Sequence, residues 1–165
     1  ADWRVQHPEL DQLVFRPGTI LGATAKNQIT ALFERPIVLG LLGADIPFVF
    51  IWDQDVVRCV AKGVREGKTG IFNLAGDGVL TMAEIAEALN KAYVRLPVWL
   101  VRGLLAALKA VRLTQYGPEQ VDFLRYRPVL DNTSLKQEFG YTPELTTAEV
   151  FDLYRKSQHS DPAIV

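Results

Sequence analysis

The stretch from Phe48 to Leu74 changes its hydrophobic period twice, and that change constrains the fold more than any other feature of the chain. Phe48-Val49-Phe50-Ile51-Trp52 is an unbroken run of aromatic and β-branched residues, the side chains that favour a strand. Val56, Val57, Val60, Ala61 and Val64 then recur at helical spacing until Gly67, and either Asp53 or Asp55 is expected to cap that helix. Gly70-Ile71-Phe72-Asn73-Leu74 returns to strand character and empties into the turn Ala75-Gly76-Asp77-Gly78. Strand, helix and strand in this order are the grammar of an α/β chain.

The flanks extend that reading. Residues 2–12 read as the end of a helix closed at His7-Pro8, because the residue before proline is pushed out of the α region. Leu13-Val14-Phe15 is a short strand stopped by Arg16-Pro17-Gly18. Residues 19–47 are ambiguous apart from a helix over Asn27–Glu34 broken by Pro36. Thr81-Met82-Ala83-Glu84 and Thr146-Thr147-Ala148-Glu149 are capping boxes, in which hydroxyl and carboxylate each satisfy a backbone N–H the helix leaves orphaned. Leu96–Leu113 reads as one long helix, Asn132–Phe139 as a short one ending at Gly140, and the tail after Lys156 as frayed. The fold class is therefore α/β, a partial sheet with a mostly helical annex. Two or three strands are few for a self-sufficient domain of this class.

Composition narrows the function. The 165 residues are about one domain's worth of chain, with 18 Lys and Arg against 19 Asp and Glu. A net charge of −1 lacks the cation surplus that displaces counterions from phosphate, so no nucleic-acid partner is expected. The lone Cys59 excludes an internal disulfide and a cysteine-built metal cage, and fits a reducing, cytoplasmic setting. Ala1-Asp2-Trp3-Arg4 resembles neither a secretory signal nor a transit peptide. The longest apolar tract is interrupted by Arg102, Lys109 and Arg112, short of the ~18 apolar residues that a membrane span needs. His7 and His159 read as surface imidazoles and Cys59 as a small buried thiol. Asp53, Asp55 and Glu84 are explained by capping, so no metal site is expected. No glycine cluster supplies the strand-to-helix turn that cradles a dinucleotide's phosphates.

Four segments, in order, resemble the C-terminal half of an extended short-chain dehydrogenase/reductase, the group of the NAD-dependent epimerases and dehydratases. Phe15-Arg16-Pro17-Gly18-Thr19-Ile20-Leu21-Gly22 is similar to that family's strand and Arg-Pro-Gly loop. Phe50 to Cys59 resembles its aromatic-Val-His-Val-x-Asp-Val-Ala stretch, with Trp52 in place of the usual His. Gly70 to Gly76, followed by Thr81-Met82-Ala83-Glu84-Ile85, is similar to its Gly-x-Tyr-Asn-Leu-Gly strand and Ser/Thr-x-x-Glu-Ile helix. Leu130 to Ser134 with Glu138 to Pro143 resembles its terminal Asp-x-Ser and Glu-Leu-Gly-Trp/Tyr-x-Pro element.

The resemblance implies a Rossmann-type sheet of which only the C-terminal strands are present, over residues 1–90, and a helical substrate-binding region over 91–165. It implies NAD or NADP as cofactor of the intact enzyme and a small-molecule substrate such as a sugar nucleotide. Pro17, Gly18, Thr19 and Ile20 would line the nicotinamide side of the cofactor, with Gly18 leaving room for close approach. Trp52, Arg125 and Arg127 would face substrate, since a guanidinium fork matches phosphate oxygens. The family's Tyr-x-x-x-Lys pair is missing: Tyr93, Tyr116, Tyr126, Tyr141 and Tyr154 are followed four residues on by Pro97, Gln120, Leu130, Leu145 and Gln158. By the family's order the pair and the Gly-rich loop precede Ala1. The chain is thus expected to be the back half of an enzyme, to carry no catalytic residue and to bind no cofactor tightly alone. Its open sheet edge is expected to drive self-association. The alternative is a non-catalytic interaction module using that edge and the Leu96–Leu113 helix. Arg95, Arg102 and Lys109, seven apart, form a basic stripe on that helix, whose apolar face is expected to pack on its own domain and not on a membrane.

Overall fold

The computed structural model describes residues 7, 9, 11–110 and 129–159. In chain order the elements are β1 (Leu13–Pro17), β2 (Thr19–Leu21), α1 (Gln28–Phe33), β3 (Ile37–Leu41), β4 (Pro47–Phe48), β5 (Phe50–Trp52), α2 (Asp53–Glu66), β6 (Gly70–Leu74), β7 (Leu80–Thr81), α3 (Met82–Ala88), β8 (Ala92–Leu96), α4 (Val98–Ala110), a π-helical turn (Leu135–Phe139) and α5 (Thr147–His159). The architecture is α/β. Strands pair two by two: β1 with β6, β2 with β5 and β3 with β8 run parallel, and β4 with β7 antiparallel. The chain divides into two compact units. The first gathers the described residues up to Ala25, Val49–Gly78 and those from Leu130; the second gathers Lys26–Phe48 and the described residues of Val79–Val129. Each unit is discontinuous along the chain, whereas the motif order reads as two consecutive stretches meeting at residue 90.

The first unit is built on the parallel pairs. Register runs from Leu13 opposite Gly70 to Pro17 opposite Leu74, and from Thr19 opposite Phe50 to Leu21 opposite Trp52. Ile51, Cys59, Phe72, Leu74, Leu135 and Phe139 form one buried cluster, with Leu13, Phe15, Ile20, Val56 and Tyr141 packed against it. Phe139 is its keystone, edge-on to Phe15 at 5.5 Å and tilted against Phe72 at 5.0 Å, spacings at which aromatic pairs add to simple area burial. Helix α2 ends at Gly67 in the left-handed conformation, φ 59, which glycine adopts without a Cβ clash.

Several local expectations change here. β1 continues through Arg16 to Pro17; a proline that ends a strand removes no interior ladder bond. The Phe48–Trp52 run is split at Val49, whose carbonyl accepts from the Thr19 N–H at 3.1 Å. Neither Asp53 nor Asp55 caps α2: its N-cap is Trp52, with no side-chain bond, and Asp55 is spent elsewhere. The expected short helix at Asn132–Phe139 is a π-helical turn closed by Gly140 at φ 76. Helix α5 runs past Lys156 to His159, anchored where Phe151 stacks on Phe50 at 5.7 Å. Of the helix expected at residues 2–12, the described residues 7, 9, 11 and 12 are not helical and the rest lie outside the described residues.

The second unit relies on short elements and local caps. Asn27 caps α1, its Oδ1 accepting from the Ile29 and Thr30 N–H groups at 2.9 and 3.0 Å. Thr81 and Glu84 close the expected box on α3. The ambiguous region contains β3, which pairs with β8 from Ile37 opposite Ala92 to Leu41 opposite Leu96. Leu96 therefore ends a strand. The long helix begins only after Pro97, whose carbonyl accepts from the Leu100 and Val101 N–H groups at 3.0 and 3.2 Å; proline's fixed φ suits the entry to a helix. Residues 111–113 of that expected helix lie outside the described residues. Arg95 sits on β8, so the basic stripe reduces to Arg102 and Lys109 on α4.

Candidate functional site

In open α/β sheets ligands bind outside the carboxyl ends of the parallel strands. In the first unit those ends are Pro17, Leu21, Trp52 and Leu74. Pro17 is exposed and Gly18 half-buried, while Thr19 is 9% exposed and Ile20 packs against the buried cluster. The four candidate residues therefore split into an outward pair and an inward pair. The Gly18 N–H donates to the Leu74 carbonyl at 2.9 Å and the Thr19 N–H to that of Val49. A Cβ on Gly18 would lie 2.9 Å from the Val49 carbonyl oxygen. The close approach of two backbone stretches of this chain by itself requires glycine at this position.

Behind Trp52 lies a polar cluster for which the linear sequence carries no signal. Asp55, wholly buried, accepts from the Tyr141 hydroxyl at 2.6 Å and from the Glu144 N–H at 3.2 Å. Arg58 reaches Glu144 at 2.6 Å and Asp55 at 3.7 Å, and its guanidinium lies 5.1 Å from the Trp52 ring centroid. A cation over an indole face is attracted by the ring quadrupole, so Trp52 is held by Arg58. Burial, then the hydrogen bond to Asp55, pushes the Tyr141 hydroxyl above its ordinary range. This phenol is fixed as a donor.

A second clasp closes on the turn after β6. Asn132 donates to the Ala75 carbonyl at 2.8 Å and to Asp77 at 2.9 Å, and Lys136 pairs with Asp77 at 2.5 Å. Lys136, then Asn132, holds the Asp77 carboxyl below its ordinary value. Thr147 completes the arrangement, its N–H donating to the Asp77 carbonyl at 2.8 Å and its hydroxyl to that of Gly76 at 3.3 Å. A Cβ on Gly76 would meet the Phe50 and Leu145 carbonyl oxygens at 2.9 Å, so only glycine fits between these segments. Asn73 adds a bond from its side-chain amide to the Asp131 carbonyl at 2.9 Å. The terminal segment is thereby locked onto the ends of β5 and β6.

The arrangement fastens the terminal segment to the strand ends. Acid–base catalysis needs a group whose pKa approaches the working pH. Tyr141 and Tyr93 both move up, in each case chiefly through burial, and burial raises the Cys59 thiol to about 12. Among the described residues no group of three or more His, Cys, Asp or Glu side chains is placed to hold a metal. Arg125 and Arg127 lie outside the described residues. For a dinucleotide, Pro17 and the Gly18 edge fit an apolar flank at the strand ends. The N–H groups of Gly18 and Thr19, spent on Leu74 and Val49, supply no anchor for its phosphates.

No family model matches the chain. Uncharacterized proteins of Mycobacterium bovis and Mycobacterium tuberculosis are 26% identical over 159 residues, taking in 96% of this chain and 42% of their own length. The chain thus spans about two fifths of the curated relatives it matches. Among solved structures, the UDP-glucose 4-epimerase of Thermotoga maritima with UDP-glucose superposes at a TM-score of 0.61, 16% identity, over 96% of this chain and 49% of that one. The UDP-glucose 4-epimerase of Thermus thermophilus with NAD gives 0.63 and 16%, over 96% and 50%. The ADP-L-glycero-D-manno-heptose-6-epimerase of Helicobacter pylori gives 0.63 and 12%, over 97% and 48%. The chain therefore has the Rossmann-like α/β fold of about half of a nucleotide-sugar epimerase.

Proposed function

We propose that the chain is the C-terminal part of an NAD(P)-dependent epimerase, dehydratase or reductase acting on a sugar nucleotide or another carbonyl or alcohol substrate. The Gly-rich loop and the Tyr-x-x-x-Lys pair would come from sequence outside these residues. One observation carries the reading: the fold likeness takes in 96% of this chain but only about half of each epimerase.

In this reading NAD(P), when bound, supplies the hydride acceptor. The chain's own residues supply walls: Pro17 and the Gly18 edge flank the cofactor ring, and Trp52, braced by Arg58, faces substrate. Arg125 and Arg127 are proposed to meet the substrate's phosphates. The reading frame upstream of Ala1 is the direct test, with a Gly-x-x-Gly-x-x-Gly turn and a Tyr-x-x-x-Lys pair expected there. Titration of the 165-residue chain with NAD and NADH by calorimetry is the complement. Very weak binding is expected, and tight one-to-one binding overturns the assignment.

A further inference from the structure

Helix α2 is apolar on two sides. Toward the core it buries Asp55, Cys59 and Gly63, and Val56 packs against the buried cluster. On the far side Val57, Val60 and Val64 are 60%, 47% and 79% exposed, with exposed Ala61 among them. At about 3.6 residues per turn these four positions fall in one arc of roughly 100° directed away from the core. Helix formation does not account for them, because β-branched valine is a poorer helix former than Ala, Lys or Glu. The outer face of a surface helix is ordinarily polar. The stripe is therefore a surface to be covered.

Its spacing and its charges both match a second copy of the same helix. Val57, Val60, Ala61 and Val64 are palindromic about the midpoint between Val60 and Ala61. With two copies of α2 antiparallel and a two-fold axis at that midpoint, Val57 of each copy meets Val64 of the other. Val60 then fills the space over the small Ala61. A two-fold contact requires this self-complementarity. The helix has Asp53 in its first turn and Arg65 in its last, and the Arg65 side chain is 76% exposed beside Glu66. Antiparallel packing sets the acidic end of one copy toward the basic end of the other and opposes the two helix dipoles. Parallel packing would instead set Arg65 against Arg65.

We propose that two copies of this chain pair through the Val57–Val64 stripe of α2, antiparallel about a two-fold axis between Val60 and Ala61. The inference does not depend on the catalytic reading, and it places self-association on a helix face, not on the open sheet edge. One helix pair is a small contact, so the dimer is expected to dissociate on dilution. The first test is sedimentation of the 165-residue chain over a concentration series. Val60→Glu, at an exposed position where the fold is checked by circular dichroism, should weaken the dimer at least about tenfold. The second test is oxidative cross-linking of single-cysteine substitutions on α2, in which the native Cys59 is buried and out of reach. Two Ala61→Cys side chains would lie beside the two-fold, whereas two Val57→Cys side chains would stand about 10 Å apart along the helices. Ala61→Cys should therefore cross-link at least about tenfold faster, because a disulfide cannot bridge Cα atoms more than ~7 Å apart. Equal rates at the two positions, or a dimer indifferent to Val60→Glu, overturn the proposal. So does a chain that stays monomeric at every concentration, which would leave the stripe to a different partner.

Discussion

The two units spend their polar groups differently. In the first, hydrogen bonds join residues far apart in the chain: Asp55 to Tyr141, Asp77 to Lys136, Phe50 to Thr147. In the second, Asn27 caps α1 and Thr81 caps α3, while the Lys91 ammonium donates to the distant Phe33 carbonyl. Apolar exposure does not follow that division, for Leu39, Leu42 and Trp99 of the second unit and Val57 and Val64 of the first are all more than half exposed. Long-range bonds make a unit cooperative, because each closes a loop whose entropy is repaid only when the whole unit forms. Local caps stabilise a helix wherever it is. The lesson is that the first unit is fastened by ties that close long loops, while the helices of the second carry caps of their own.

The largest test of that contrast is Phe139→Ala. It removes a fully buried ring touching Phe15 and Phe72 and should cost about 3–5 kcal/mol, read as a shift in urea midpoint with loss of near-ultraviolet dichroism from the first unit. An effect below about 1 kcal/mol would mean that the unit is not held by this cluster. Next is Asp55→Ala, which strands the Tyr141 hydroxyl and the Glu144 N–H inside the protein; about 2–3 kcal/mol is expected. Hydrogen exchange should rise at the π-helical turn and the Tyr141–Glu144 segment together. Exchange confined to α2 would show that the tie is local after all.

The contrast also explains what was legible in the sequence. Local chemistry was readable: both capping boxes, the Asn27–Glu34 helix and the Gly67 and Gly140 stops are where propensity places them. The α/β class followed from the change of period around Phe48–Leu74. Asp55 was misread as a cap because an acid at a helix start usually is one, and nothing in its neighbourhood reports a tyrosine 86 positions away. The backbone contact at Gly18 is equally hidden in the sequence, because it is made with Val49, 31 positions on. The helix expected from Leu96 begins at Val98 instead, because the apolar character of Leu96 fits strand and helix alike. The Arg58 guanidinium over the Trp52 ring shows only in three dimensions.

In the second unit, Thr81→Ala deletes the acceptor for the Glu84 N–H and a donor to the Glu84 carboxylate and should cost about 1 kcal/mol. The loss should appear as faster exchange in α3 alone, leaving the Phe139 cluster protected. Thr146→Ala in the first unit removes the same kind of cap from α5, but its neighbour Thr147 ties α5 to Gly76 and Asp77. Exchange should therefore rise beyond its own helix. Equal, confined effects of the two substitutions would erase the distinction between the units.

The smallest effect is the most specific to the clasp. The Asp77 carboxyl is held below its ordinary value first by Lys136 and then by Asn132. A carboxyl whose pKa is depressed in the folded state contributes stability above its unfolded value, about 3.9, and loses it as pH falls through the folded one. Asp77→Asn should therefore lower the urea midpoint at pH 6, and the gap to wild type should close as the pH drops below about 4. The side chain is 53% exposed, so solvent and salt screen the pair and the difference should stay under about 1 kcal/mol. Raising the salt concentration at pH 6 should shrink it further. If the gap instead persists unchanged at pH 2, the Asp77 charge is not what fastens the terminal segment. The neutral bonds from Asn132 and Thr147 would then carry the clasp.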